Sequence, residues 1–407
     1  GSVPPQPGQH HSSRNGRSTL DGISMEAAAA IEIPGLQDGI ADLQMTDSDD
    51  DNDIDDAGDE AEAFDDIPEA PSRSKETSPM MNPKSSPASM KLNGSPASDQ
   101  SPGLPDKMMR ELELSNSESR DVSPHVIQGL VQIMRDGSHE KRKKATIAMC
   151  NLCCESQQNR TYSGDAGAVP VLIAMMHDSN PDIHLQRLAT ACICNLSADP
   201  PLKDAIAQGG AIPHLSRLLQ SDEDSVDARA ATAHAAATLW SLCVDMDHIK
   251  PMVAEEHTLR ALMSQLRSPE SFVRGQACGC VGEVCIGNKK IKGMLSAMDV
   301  IPDLIALLTE PDPATQRLAA SALCNLSANH DENKKLSRAA GLVDALITLL
   351  QSTTDDAVQS AAAGGLYNLV TAADRQKLES KGVVEVMRQV PISRNINIRL
   401  GIKSEKK

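Results

Sequence analysis

Aromatic residues are nearly absent: Phe64, Tyr162, Trp240, Phe272 and Tyr367 are all that the 407 residues contain. A stacking platform for nucleic-acid bases cannot be built from so few. Excess positive charge is missing too. With 56 acidic residues against 39 basic ones the formal net charge is −17, whereas displacing counterions from phosphates requires the opposite sign. No apolar run approaches the roughly 18 residues needed to cross a bilayer. The polar, proline-rich start lacks the basic-then-apolar layout of a secretion signal, and Gly1 followed by Pro4 and Pro5 does not fit a myristoylation site. These absences predict a chain of the cytoplasm or nucleus, or both, that binds no nucleic acid and inserts in no membrane. Phosphate-binding loops, nucleophile elbows and zinc-protease motifs are missing as well, so catalysis has no named residue and the reading is non-enzymatic, without a cofactor.

What charge there is lies unevenly. Residues 1–124 hold 25 acids against 9 bases, which leaves 31 acids and 30 bases for a near-neutral body. The first stretch also carries 13 of the 24 prolines and a single aromatic residue. Such a composition cannot bury enough apolar surface to offset chain entropy, so residues 1–124 are expected to form a disordered acidic tail. Within it, residues 38–69 contain 15 acids and no base. Just at its start, Leu36, Ile40 and Leu43 have the spacing of one short amphipathic helix. Ser78, Ser86, Ser95, Ser101 and Ser123 each precede proline. They are candidate sites for proline-directed kinases, or simply the composition of a linker.

The remainder repeats. Gly167-Ala168-Val169-Pro170-Val171-Leu172 returns as Gly210-Ala211-Ile212-Pro213-His214-Leu215 and, with the same Pro-x-Leu, as Val300-Ile301-Pro302-Asp303-Leu304. Weaker copies end at Leu262, Leu346 and Met387, and the steps between all six are 43, 47, 42, 42 and 41 residues. A second anchor keeps phase with the first: Asn151, Asn195, Ser241, Glu283, Asn325 and Asn368, with steps of 44, 46, 42, 42 and 43. Two independent anchors on one period of about 42 identify a solenoid of stacked units. Residues 300–341 serve as the type unit. A short apolar helix runs from Val300 to Leu308, and Pro311 and Pro313 break it. A longer helix follows, with Leu318, Ala319, Ala322, Leu323 and Leu326 on one face. A last short helix is expected to be capped by Asn333, to bury Leu336 and to stop at Gly341. No segment shows the alternation of a strand. The predicted organisation is a tail over 1–124, about six repeats over 125–382, and a partial seventh repeat or cap over 383–407.

The Gly-Ala-Ile-Pro-x-Leu opening, the Ala322-Leu323-Cys324-Asn325-Leu326-Ser327 core and the period together resemble the armadillo repeat family. The resemblance covers roughly residues 125–390. It implies an all-α, right-handed superhelical solenoid of three-helix repeats whose long third helices line a groove. In that groove the family's asparagines hydrogen-bond the backbone of an extended peptide, since an amide offers the donor and the acceptor that a peptide unit requires in return. The ladder carried over is Asn151, Asn195, Asn325 and Asn368, interrupted by Ser241 and Glu283. The alternative is that these asparagines cap or bridge helices. If they serve ligand alone, they should be solvated in the free protein. Helical geometry puts two further rows on the same face. Four residues before the ladder stand Ile147, Ala191, Ala237, Gly279, Ser321 and Gly364; seven before it stand Lys144, Leu188, His234, Gln276, Leu318 and Ala361. Nuclear-import adaptors of the family have tryptophan in the first of these rows, and none is present here.

Ten cysteines, all between Cys150 and Cys324 and embedded in apolar stretches, read as reduced core residues, not as a metal site. His234 is a candidate titrating group in the groove. The run Lys141-Arg142-Lys143-Lys144 opens the first long helix as a localisation signal, a patch for an acidic partner or a solvated face, and a contact with the chain's own acidic tail is a further expectation. The function expected is a scaffold or adaptor that takes an extended or helical segment of a protein partner and is regulated by tail phosphorylation. A nuclear-import cargo receptor and the substrate-recognition arm of a ubiquitin ligase are the alternatives.

Overall fold

The computed structural model describes residues 121–177 and 182–389. The expectations for the acidic run, the Leu36–Ile40–Leu43 trio, Ser78, Ser86, Ser95, Ser101 and residues 390–407 lie outside the described residues.

The described residues are helical throughout, with no strand among them. An opening helix α1 (Pro124–Asp136) is followed by the first long helix, α2 (His139–Glu155). Then come two short helices and a long one, over and over. These are α3 (Gln157–Asp165), α4 (Ala168–Met176) and α5 (Ile183–Leu196); α6 (Pro200–Gln208), α7 (Ala211–Leu219) and α8 (Val226–Cys243); α9 (Lys250–Val253), α10 (Glu256–Gln265) and α11 (Ser271–Val284). Next are α12 (Lys289–Ala297), α13 (Val300–Leu307) and α14 (Pro313–Ser327), then α15 (Asp331–Ala339), α16 (Leu342–Ser352) and α17 (Asp356–Leu369). A 3₁₀ turn at Ala372–Asp374 leads into α18 (Arg375–Ser380) and α19 (Val383–Gln389).

Local chemistry explains why each unit bends where it does. Except between α9 and α10, the first short helix of a unit meets the second across a residue in the left-handed region, which glycine enters without steric cost. Gly167, Gly210, Gly341 and Gly382 stand there at φ of 75°, 86°, 83° and 69°. Asp299 takes the same place at φ 64°, the one non-glycine of the set. Four of the six long helices begin on side-chain caps: Asp182, Ser225, Asp312 and Asp355 each accept a backbone N–H of the first turn.

The long helices α2, α5, α8, α11, α14 and α17 pack on one another in chain order, and alanine keeps them close. Ala189, Ala231, Ala235, Ala277, Ala319 and Ala362 are fully buried in one core that runs the length of the stack. All ten cysteines are free thiols, nine of them buried in this packing and Cys150 half-buried.

The type unit differs from expectation in its last short helix. His330, not Asn333, caps α15, and its imidazole accepts the Asn333 N–H. Asn333 is instead buried inside the turn, where its Nδ2 donates to the Leu326 carbonyl at 2.9 Å. The buried stripe of α15 is Asn333 and Ser337, one turn apart, so Leu336 falls outside it and stands 41% exposed.

Candidate functional site

Helix stacking places the ladder residues in one row at the C-terminal ends of the long helices, and the hydrogen bonds there show how. Asn195 Nδ2 donates to the carbonyl of Cys150 at 3.0 Å, Asn325 Nδ2 to Gly282 at 3.1 Å, and Asn368 Nδ2 to Cys324 at 3.4 Å. In each case the acceptor is the residue just before the preceding ladder position. Ser241 does the same job one turn further on, its hydroxyl donating to the Ser197 carbonyl at 2.9 Å. A carbonyl oxygen has two lone pairs, so the amide of the next repeat adds a donor where one is already engaged: Cys324 also accepts the Ala328 N–H at 2.9 Å and Gly282 the Cys285 thiol at 3.3 Å.

This corrects the expectation of solvated amides. Asn195, Asn325 and Asn368 are 7%, 4% and 2% exposed, and part of each amide is committed to the neighbouring repeat. The thiols of Cys150 and Cys324 also accept from Asn195 and Asn368, both at 3.4 Å. Asn151 differs, because no long helix precedes α2 among the described residues. It is exposed.

Glu283 cannot donate, so repeat four solves the problem another way. Its carboxylate lies 3.4 Å from the Lys250 ammonium, which is itself shared with Asp247 at 2.9 Å. Burial holds Glu283 above the usual carboxylate range in spite of that partner. Lys250 has equivalents: Lys203 Nζ donates to the Val244 carbonyl at 2.7 Å and Lys292 Nζ to the Ala328 carbonyl at 2.6 Å, each at the end of its own unit's long helix. A cation is favourable at that end of a helix. These three lysines stand at steps of 47 and 42, in phase with the ladder, and that spacing is the signal by which sequence reading could have found them.

The opposite ends of the long helices are tied by ion pairs. Lys143 reaches Asp182 at 2.7 Å, Arg187 reaches Asp227 at 2.6 Å and Arg274 reaches Glu310 at 2.5 Å. The Asp182 carboxyl is held down to about 2, since Lys143, the Leu185 N–H and His139 outweigh the opposing effect of burial. Lys143 is thus engaged, while Lys144 beside it is exposed and has no ion pair among the described residues.

In the row four before the ladder, Ala191, Ala237, Gly279 and Gly364 are small and buried, and Ser321 is half-buried. Ile147 is the exception at 39% exposed. Sequence reading finds no tryptophan in this row, yet the half-buried indole of Trp240 lies over Gly279. A Cβ at that glycine would come within 2.7 Å of Trp240 Cδ2 and Cε2. Trp240 precedes its own ladder residue by one and reaches the position across the repeat boundary, which a register read helix by helix cannot show.

In the row seven before the ladder, burial pushes the His234 imidazole down to about 4, with the Arg187 charge adding to it. His234 is therefore neutral at neutral pH and does not switch there. Neither its Nδ1 nor the Oε1 of Gln276, which is 3% exposed, has a hydrogen-bond partner among the described residues. Leu188 and Ala361 are buried and Leu318 half-buried. A cleft of about 610 Å³ lined by His257, Asn288 and Met294 involves only short helices, so it lies apart from this face. No group of three metal-ligating side chains occurs among the described residues, and no helix there is long and apolar enough to cross a membrane.

Three segments, residues 156–198, 288–328 and 330–371, match the family model described as the armadillo/beta-catenin-like repeat. These segments are armadillo repeats, and the described residues have the armadillo-repeat solenoid fold. The armadillo body superimposes on a designed armadillo repeat protein in complex with peptide (KR)4 with a TM-score of 0.53 and 19% identity, over 60% of this chain and 99% of that one. Among curated relatives, the splicing regulator ARVCF of Mus musculus is 35% identical over 112 residues, which is 27% of this chain and 12% of that protein. Importin subunit alpha-1a of Oryza sativa subsp. japonica is 24% identical over 280 residues, 67% of this chain and 51% of that one. The chain thus spans about an eighth of the first of these relatives and half of the second.

Proposed function

We propose that this armadillo body is a non-enzymatic scaffold or adaptor that holds an extended segment of a protein partner along the face of its long helices. The observation that carries the reading is the row itself. Buried amides repeat at one height on successive helices, above a row of alanine and glycine that leaves room for a chain to lie against them. One end of each amide is used between repeats. Asn195 Oδ1 has no donor among the described residues and so keeps an acceptor for a peptide N–H. The designed protein that holds (KR)4 shares this fold. Relatives that include importin subunit alpha-1a and a splicing regulator fit a place in the nucleus or the cytoplasm. Regulation by phosphorylation at the Ser-Pro sites belongs to the same proposal. Ser123 alone among those sites is described, and it forms the N-cap of α1.

A nuclear-import role is the second reading, and one observation favours it. The Trp240 indole lies over Gly279, in the row where import adaptors of this family carry tryptophan. The test selects peptides from a random display library against the full chain and maps the best binder by hydrogen exchange. Protection of α5, α8 and α14 with unchanged short helices is the expected result, and a lysine-rich consensus would favour the import reading. Protection confined to the short helices would overturn the groove.

A further inference from the structure

The first-repeat end of the groove differs from the rest in what it leaves uncovered. Lys144, Ile147 and Asn151 stand at i, i+3 and i+7 on α2, which puts them on one face. All three are exposed: an ammonium without an ion pair among the described residues, an apolar side chain and an amide. Elsewhere the row four before the ladder holds only alanine, glycine or serine. Ile147 is thus the one large apolar anchor that the row presents. Val226, Met252 and Leu336, the other large hydrophobics exposed among the described residues, lie outside these rows.

The chain also enters the body at this end. Val122 is buried, and its N–H donates to Asn159 Oδ1 at 3.1 Å while Asn159 Nδ2 donates to the Leu152 carbonyl at 2.9 Å. The N-terminal segment therefore joins the body one residue along the helix from Asn151. The sequence carries the complementary chemistry on that segment: the apolar trio Leu36, Ile40 and Leu43, leading directly into the run with 15 acids and no base over 38–69. Roughly 80 residues separate Leu43 from Asp121, and at up to ~3.3 Å each they far exceed the ~25 Å length of a 17-residue helix.

We propose that residues 36–69 of this chain dock on the Lys144–Ile147–Asn151 stripe in cis, the apolar trio against Ile147 and the acids around Lys144. This rests on the groove reading and adds a regulator to it: the segment covers the first-repeat end of the groove and competes there with a partner peptide. Covalent connection keeps the segment near its site at every protein concentration. Attraction between exposed charges fades once salt shortens its range below the ~8–10 Å of physiological strength.

The test uses the full chain with a photoreactive benzophenone amino acid at Gln44, beside the trio. The chain is irradiated at nanomolar concentration, and the cross-linked peptides are mapped by mass spectrometry. A monomeric product joined to the peptide that contains Lys144–Asn151 is expected, falling roughly threefold or more between 50 mM and 500 mM salt. The variant Lys144→Glu/Ile147→Ser, with an unchanged melting temperature, should lose it. Cross-links scattered over the body, absent altogether, or found only in dimers would overturn the proposal, the last by making a second copy the occupant. None of these results bears on whether peptides protect α5, α8 and α14, so the groove and its regulator fail separately.

Discussion

Repeats two, five and six tie to their predecessors through a neutral amide, whereas repeat four carries at the same position a buried ion pair made within the repeat. Asn195, Asn325 and Asn368 each donate to a carbonyl one repeat back, whereas Glu283 accepts a cation, Lys250, delivered by the short helix α9. The packing problem is common to all four, because in each a polar side chain is buried near the end of a long helix, against its neighbour. The solutions differ in what they demand. An amide forms a net bond of about 1 kcal/mol at modest desolvation cost, while a buried pair must recover the large cost of taking two charges out of water and fails badly if either partner is lost. Periodicity of sequence therefore does not require periodicity of chemistry.

Removing the cation breaks this comparison most severely. Lys250→Met leaves Glu283 buried beside no partner, and chemical denaturation should show a loss of about 3–5 kcal/mol. Adding Glu283→Asn to the same chain should recover most of it, because Asn can donate to the Trp240 carbonyl as its counterparts do one repeat away. A double variant as unstable as the single one would mean that the pair is not what holds repeat four together.

The small row sharpens the contrast further. Alanine is native at Ala191 and Ala237, so Gly279→Ala looks conservative, yet its Cβ would meet the Trp240 indole. A loss of about 1–3 kcal/mol is expected from the forced shift, together with a change in Trp240 fluorescence, which is readable because this is the chain's one tryptophan. An unchanged spectrum would place the indole elsewhere.

Acid should separate His234 from its counterpart Gln276. The folded pKa of His234 is depressed to about 4, against an unfolded value of about 6.5. Stability from its neutrality is present above pH about 6.5 and lost as pH falls through 4. Discounted for partial solvent access, the loss is about 1–2 kcal/mol. His234→Gln makes the two repeats alike at this position and should flatten that part of the pH–stability curve, which denaturation at pH 4, 5.5 and 7 would show.

The helices and their order were legible in the sequence because alanine and leucine recur with helical spacing inside a 42-residue period, and burial follows them. Ladder positions were legible for the same reason. The direction in which the amides point was not. Whether Asn325 faces solvent or Gly282 depends on how far one helix is offset from the next, and neither repeat encodes that offset alone. Asn333 and Leu336 show a second limit: in a nine-residue helix with one buried stripe, a turn-to-turn pair of small polar residues displaced the apolar one. Trp240 shows a third, since its indole serves a position belonging to the neighbouring repeat.

The most direct measurement compares two variants of the full chain in the same urea titration: the double variant Asn195→Ala/Asn325→Ala, and Asn151→Ala. If the ladder amides hold the repeats together, the double variant loses about 1–3 kcal/mol, because two buried hydrogen bonds between repeats are lost. Asn151, exposed and with no long helix before it among the described residues, should then change stability by less than about 0.5 kcal/mol. Equal stability of the two variants would contradict this, and would return the asparagines to a role for ligand alone.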